Sequence, residues 1–243
     1  TSRKSNKPHF MKQLILIALI WVGIASTTTA QGFFQGHIGI AIPMGDFADD
    51  YYPNTFYRGS GYASKGFNLG LKYYSPLKYD GLSLVLSVNF FYNKLSKDFR
   101  NEYEDDYGDY NISFPKYLNV PILAGLNYSI PLKENLAFFG EGSIGVNMLK
   151  ITNLKREGSY NGGNNYSTTI ENFSPSVKVG YTIGGGILIQ DKYRIGLNYY
   201  GLGSHTSNYN RKYISNYNSD KYGYQFEKSL NIKLFTLTIG IKI

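Results

Sequence analysis

From Phe114 to the C-terminus, the sequence alternates apolar residues with polar or small ones, and the alternating runs are separated by tight turns or long polar loops. In the run from Leu118 to Ile130 every second residue is apolar, and the residues between them are mostly Asn, Gly, Ser and Pro. Successive side chains of a strand point to opposite faces, so one face of this segment is apolar and the other polar. Such alternation over about ten residues is typical of a membrane-spanning β-strand.

The same alternation predicts eight strands. Their expected bounds are Phe34–Pro43, Lys65–Pro76, Leu82–Leu95, Leu118–Ile130, Leu136–Met148, Ser176–Ile189, a seventh strand from Lys192 and an eighth that ends at Ile243. Three connections are tight turns, whereas those near 44–64, 96–113, 150–174 and 203–228 are long and polar. This asymmetry is typical of transmembrane barrels, whose turns are periplasmic and whose loops lie outside.

We therefore predict an all-β fold, an eight-stranded antiparallel transmembrane up-and-down β-barrel over residues 31–243. The alternative is a soluble eight-stranded barrel with its apolar residues inside, which alternation alone does not exclude. Loop asymmetry and aromatic residues near the strand ends favour the membrane version.

The first thirty residues have the composition of an export signal. Met11 and Lys12 form a basic stub, an apolar run follows from Leu14 to Ala25, and small residues lead to Ala30. This order is that of a secretory signal peptide. A helix that crosses a bilayer needs ~20 apolar residues, and this run is shorter. We predict an upstream extension over residues 1–10, a signal peptide over 11–30 cleaved after Ala30, and an outer-membrane location.

Charge and cysteine content limit the possible partners and covalent modifications of the chain. The full chain carries 25 Lys and Arg against 17 Asp and Glu, a formal net charge of +8. Four basic residues and no acid precede Gln31, so 21 basic residues face 17 acids in the predicted mature part, or +4. So small and scattered an excess predicts no nucleic-acid partner. Without cysteine the chain forms no disulfide and carries no lipidated cysteine.

Three segments make the chain resemble the small outer-membrane β-barrel proteins of Gram-negative bacteria, the porin-like barrel family. They are Ile42–Phe47, Tyr117–Pro121 and Thr236–Ile243. The resemblance covers about 31–243 and implies outer-membrane lipids and lipopolysaccharide as partners, with the barrel-assembly machinery acting during insertion. Members usually end in an aromatic residue, and Ile243 departs from that pattern. The family includes structural proteins, adhesins, narrow pores and a few lipid-modifying enzymes, so function stays open.

The polar face supplies candidate lumen residues, of which the charged or ionisable ones considered as a network are His37, Lys72, Glu141, Lys178 and Arg194. An eight-stranded barrel is just wide enough for side chains to fill its interior. A buried carboxylate needs partners, and Lys72 and Arg194 lie at suitable heights to reach Glu141. We predict a polar plug around Glu141. The alternatives are a proton or ion path through His37 and Glu141, and a narrow pore for small solutes.

The end of the seventh strand contains a candidate hydrolytic site. If the strand continues, His205 and Ser207 share its lipid-facing side. Alternation along the facing strand places Glu227 on the same side as Phe235 and Ile239, which also face lipid. The His-x-Ser-Asn string resembles that of lipid A 3-O-deacylases, which implies Ser207 as nucleophile, His205 as base and Glu227 as its orienting acid. However, the sequence of 207–210 recurs at 215–218, which indicates biased loop composition. We therefore expect no enzymatic activity, with a deacylase-like hydrolase as the alternative.

The long loops carry the remaining candidates for recognition. The fourth loop contributes Tyr209, Tyr213, Tyr217 and Tyr222. Tyr and Asn on exposed loops suit adaptable contacts with glycans or proteins. The acidic residues of the second loop do not have the spacing of an EF-hand, so no metal is predicted. The sequence thus indicates an envelope protein with a structural or surface-binding role, no cofactor and an unknown surface ligand.

Overall fold

The computed structural model describes residues 32–49, 60–106, 110–160, 165–215 and 223–243. The predicted signal peptide at 11–30 and the upstream extension at 1–10 lie outside these ranges, as do Tyr217 and Tyr222. Within the described ranges, no helix has the length and apolar character required to cross a bilayer.

Antiparallel strands of a single sheet make up most of the described residues. They are β1 (Phe33–Met44), β2 (Gly66–Pro76), β3 (Leu82–Lys94), β4 (Tyr110–Ser113), β5 (Lys116–Lys133), β6 (Leu136–Ile151), β7 (Leu154–Tyr160), β8 (Asn165–Phe173), β9 (Ser176–Ile189), β10 (Tyr193–Ser215) and β11 (Gly223–Lys242). A 3-10 helix (Gly45–Phe47) follows β1, and one α-helix, α1 (Lys97–Asp106), follows β3.

Eight of these strands pair in a ring. The order β11-β1-β2-β3-β5-β6-β9-β10 returns to its start because β10 also pairs with β11. All eight were predicted from alternation, and the bounds of the first six agree to within a few residues. The prediction of an all-β antiparallel fold built on eight main strands is therefore confirmed.

The remaining strands extend the sheet beyond the ring on the loop side. Here β8 pairs with the end of β10, β7 with β8, and β4 with β7. We call β4, β7 and β8, with β10 from Ser204 onward and β11 up to Asn231, the extension. The expectation that 150–174 and 203–228 are loops is wrong. Strand residues there alternate between buried side chains and exposed polar ones such as Thr206 and Asn208, so the membrane pattern of apolar residues is missing.

Polarity across the ring wall is the reverse of that in a water-soluble protein. Outward residues include Ile38, Val179 and Ile239, whose exposed fractions are 64%, 66% and 60%. Inward residues on the same or neighbouring strands are polar and buried, as are Asn68, Ser87, Asn127 and Thr236. The aliphatic face therefore looks out and the amide and hydroxyl face looks in.

An apolar cluster fills the ring at its loop side. Its members include Phe47, Tyr62, Phe91, Leu95, Phe99, Tyr117, Leu123, Leu149, Ile151, Tyr200 and Leu202. The rings of Phe47 and Tyr117 meet edge to face at 5.1 Å, and Tyr62 lies 4.3 Å from the Phe99 ring of α1. The Tyr117 hydroxyl donates a hydrogen bond to the Gly61 carbonyl at 2.6 Å. The 3-10 helix and α1 thus pack over the loop-side end of the ring.

Candidate functional site

The best-connected polar cluster in the lumen is centred on Glu141 of β6. Lys72 Nζ, from β2, donates to Glu141 Oε1 at 2.6 Å, and the Tyr74 hydroxyl donates to Oε2 at 3.0 Å. The side chains of Lys72 and Glu141 are 7% and 1% exposed, so this ion pair is isolated from water. Because both carboxylate oxygens have donors, the buried charge is compensated.

Arg194 of β10, two strands from β6 in the ring, completes the cluster. Its Nη1 donates to the Tyr74 hydroxyl and lies 4.0 Å from Glu141 Oε2, while Nη2 donates to Asn127 Oδ1 at 3.0 Å. The guanidinium carbon lies 4.4 Å from the Tyr74 ring centroid and 4.2 Å from that of Phe139. Stacking on two rings suits the weakly hydrated, planar guanidinium.

Strand alternation explains how these residues meet. Lys72 and Tyr74 are two residues apart on β2 and therefore face the same side. Glu141 lies beside the inward Asn127 in the β5–β6 register. Tyr74 was not singled out from the sequence, although its parity with Lys72 was a usable signal. The three residues predicted for the plug are therefore in one cluster, and the fourth member, Tyr74, links Arg194 to Glu141.

The other two predicted network members are His37 and Lys178. His37 is buried and its Nε2 lies 2.8 Å from Asn89 Oδ1. Lys178 pairs in register with the buried Asn147, yet its side chain is exposed, so it is not part of the buried cluster around Glu141. A side chain built on Gly203 would come within 2.8 Å of Lys178 Cβ. We attribute the exposure of Lys178 to the irregular wall beside this glycine.

The predicted hydrolytic triad is not assembled. A register shift lies between Gly201 and Ser204, and Gly203 has a φ of +89°, a conformation that glycine adopts readily. The shift reverses the facing of the residues that follow, so His205 and Ser207 are buried at 0% and 2% exposure while Glu227 is exposed. The prediction that His205 and Ser207 face lipid on the same side as Glu227 is therefore wrong.

The buried pair has structural partners instead. His205 Nε2 lies 2.9 Å from the Leu202 carbonyl oxygen and 3.0 Å from Asn147 Nδ2. Ser207 Oγ donates to the Ser174 carbonyl at 2.6 Å, at the join between β8 and β9. In one tautomer Nε2 donates to the carbonyl, and in the other it accepts from the amide. Together with the Ser207 bond, this contact holds the irregular part of β10 against its neighbours, which gives both side chains a packing role.

Two of the four tyrosines predicted as loop contacts, Tyr209 and Tyr213, lie in the described residues. Tyr209 is only 2% exposed and its ring lies 5.2 Å from Phe173, so its assignment as a loop contact is wrong. The same register shift turns it inward. Tyr213 is half-buried and pairs with Thr169 of β8.

A second buried charge cluster lies in the extension. Glu171 of β8 accepts from Arg156 Nη2 at 3.3 Å and from Arg211 Nε at 2.9 Å, and its own side chain is fully buried. Arg156 also donates to the Tyr103 hydroxyl of α1 at 3.0 Å. Lys228, beyond the outward apolar band, donates to the Ser60 carbonyl at 3.3 Å. Burial lowers the pKa of Lys228 well below its usual value, which the charge of Glu171 partly opposes.

The interior therefore has three layers. At the turn side a cavity of about 340 Å³ is lined by residues that include Phe33, Gln35, Asn127 and Arg194. The Glu141 cluster lies next along the lumen, and the apolar cluster occupies the loop side.

No protein-family model matches the chain, and no curated protein does. Among solved structures, it is similar to Neisserial surface protein A at 12% identity, over 87% of this chain and 96% of that chain, with a TM-score of 0.44. A major outer membrane protein from Thermus thermophilus is also 12% identical, over 88% and 100%, with a TM-score of 0.45. Outer membrane protein AlkL is 10% identical over 89% and 92%, with a TM-score of 0.38. These similarities do not assign a function to this chain.

Proposed function

We propose that this protein is an integral β-barrel of the outer membrane with a sealed lumen, which displays the extension at the cell surface in a structural or binding role. The observation that carries the proposal is the reversed polarity of the ring wall. Apolar side chains such as Ile38 and Val179 are more than half exposed on the outside, while amides and charges are buried within.

The energetics of this surface favour a lipid environment. Burying one Val, Leu or Ile side chain is worth about 1.5–3 kcal/mol, and the outward apolar residues occur on all eight strands of the ring. Monomeric soluble proteins rarely expose apolar patches above a few hundred Å². Because the strands pair in a ring, few backbone groups of the wall are left to meet hydrocarbon unpaired, which membrane-spanning strands require.

The location rests on two further features. Short turns end the ring on one side and the extension lies on the other, as in barrels whose loops face the outside. The predicted signal peptide provides export through the inner membrane.

The filled interior favours a sealed barrel rather than an open pore. A solute entering from the turn side would meet the Lys72–Glu141 pair and then the apolar cluster. In planar bilayers we expect the purified protein to insert without a steady open-channel current. A stable current on the nanosiemens scale, from protein that also shows the gel mobility of a folded barrel, would contradict the sealed lumen.

Catalysis is not part of the proposed role. Ser207 is buried against the Ser174 carbonyl, and Glu227 faces away from it. We expect Ser207→Ala to leave the number of acyl chains on lipid A unchanged. The measurement is mass spectrometry of lipid A from the same host expressing either wild type or the variant. The variant should cost about 1 kcal/mol of stability from the lost hydrogen bond. An acyl chain lost with wild type but retained with the variant would establish the hydrolase.

A further inference from the structure

Four lysines lie on neighbouring strands at the loop-side edge of the outward apolar band. They are Lys65, immediately before β2, Lys94 at the end of β3, Lys116 at the start of β5, and Lys150 near the end of β6. All four side chains are exposed. We call this set the lysine row.

Each lysine continues the outward face of its strand. Phe67, Tyr92, Leu118 and Met148 lie two residues from the four lysines in turn, on the membrane side. The Phe67 and Tyr92 rings stack at 5.2 Å, and Lys116 Nζ lies 5.9 Å from the centre of the Tyr92 ring. The charges therefore lie directly beyond an apolar edge that includes this aromatic pair, where insertion of the ring into a membrane would place the lipid headgroups.

The lysines are also close to one another. Lys94 pairs directly with Lys116 in the β3–β5 register, and Lys150 pairs with Leu118, two residues from Lys116 on the same face. The Lys94 carbonyl accepts from the Ser64 backbone amide at 2.8 Å, which holds Lys65 beside it. Like charges directly opposite across two strands are destabilising unless something neutralises them.

No carboxylate of the described residues supplies that neutralisation. None of the four lysines forms an ion pair with a described residue. On β2, β3, β5 and β6, which are described from end to end, the one acid is Glu141, and it is buried in the lumen. The row therefore has net positive charge on a rigid part of the wall.

We infer that the lysine row binds the phosphate groups of glycolipid in the leaflet on the loop side. This rests on the proposed insertion into an outer membrane. The compact ammonium group suits phosphate as a point charge. Four neighbouring strands span about 15 Å, which allows one headgroup with more than one phosphate to contact several lysines together. Acyl chains of the same lipid would lie along the apolar band below.

The test compares two variants with equal loss of charge. One replaces the row with glutamine (K65Q/K94Q/K116Q/K150Q), and the matched control replaces four exposed lysines at the turn side (K78Q/K133Q/K192Q/K242Q). The probes are bisphosphorylated lipid A and the same lipid A with its phosphates removed, titrated into protein in a neutral detergent. Bound lipid is counted by native mass spectrometry.

Wild type and the turn-side control should bind phosphorylated lipid A at least about tenfold more tightly than the row variant, since each lysine near an anionic surface contributes about 1 kcal/mol. Dephosphorylated lipid A should bind all three proteins equally, and added salt should weaken the difference. The Lys→Arg version of the row should retain binding. Equal losses in both glutamine variants, or displacement of the lipid by millimolar inorganic phosphate, would overturn the inference.

Insertion into vesicles of neutral phosphatidylcholine separates this inference from the proposed function. If wild type fails to insert there, the membrane assignment fails and the inference fails with it. If all the proteins insert and fold equally but show no preference for phosphate, the inference alone is wrong.

Discussion

Replacing Glu141 with glutamine is expected to lower the free energy of unfolding by about 3–5 kcal/mol, one of the two largest effects of a single substitution proposed for this protein. The change keeps the shape of the side chain but removes its charge, and it leaves Lys72 and Arg194 buried without a counter-ion. Desolvating a cation without a partner costs far more than a neutral hydrogen bond returns.

This loss is measured by urea unfolding of protein in lipid vesicles, followed by far-ultraviolet circular dichroism and by gel mobility of unheated samples. Glu134→Gln provides the matched control, because Glu134 lies exposed in the turn between β5 and β6 and should change stability by less than about 0.5 kcal/mol. The double variant Lys72→Met/Glu141→Gln should recover part of the loss, since one unpaired cation is gone. Equal stability of Glu141→Gln and wild type would refute the polar plug.

Glu171→Gln is expected to lower the free energy of local unfolding of the extension by a comparable amount, about 3–5 kcal/mol, while leaving the ring intact. Glu171 is buried between Arg156 and Arg211, and through Arg156 it links β8 to α1. Losing its charge removes the carboxylate that both arginines contact and loosens the contacts between β7, β8 and β10. The effect is local because the ring strands have their own pairings and their own buried charges.

Hydrogen exchange read out by mass spectrometry distinguishes the two regions. Amides of β7 and β8 should exchange faster in Glu171→Gln, while those of β2, β3 and β5 should keep their protection. Glu157→Gln is the control on the neighbouring strand, because its pair with Lys155 has side chains 41% and 47% exposed and such pairs contribute about 0–1 kcal/mol. Uniform faster exchange across ring and extension would show that the two parts unfold together.

Alternation predicted the strands of the ring well because a two-sided wall imposes a strict period. Each residue must suit either the outside or the interior, and β1 shows this over its whole length. The strands of the extension have a different residue pattern. Its outward side faces water, so Ser204, Thr206 and Asn208 replace the aliphatic residues and the apolar signal disappears.

Parity arguments failed where the backbone inserts extra residues. The register shift between Gly201 and Ser204 changed which side His205, Ser207 and Tyr209 face, so one local irregularity overturned both the triad and one loop contact. Gly201 and Gly203 hint at such a bulge, but glycine is frequent in this chain and many of its glycines lie in regular strands.

The linear order of residues by itself determined the all-β class, the eight main strands and the inward position of Lys72, Glu141 and Arg194, because side-chain direction in a strand is a local property. Only the tertiary structure decided that Tyr74 bridges Glu141 and Arg194 across the lumen and that lysines from four strands align along one rim. Such contacts depend on how the strands are offset against one another around the ring. That offset arises from pairing and packing between distant segments, and no single segment encodes it.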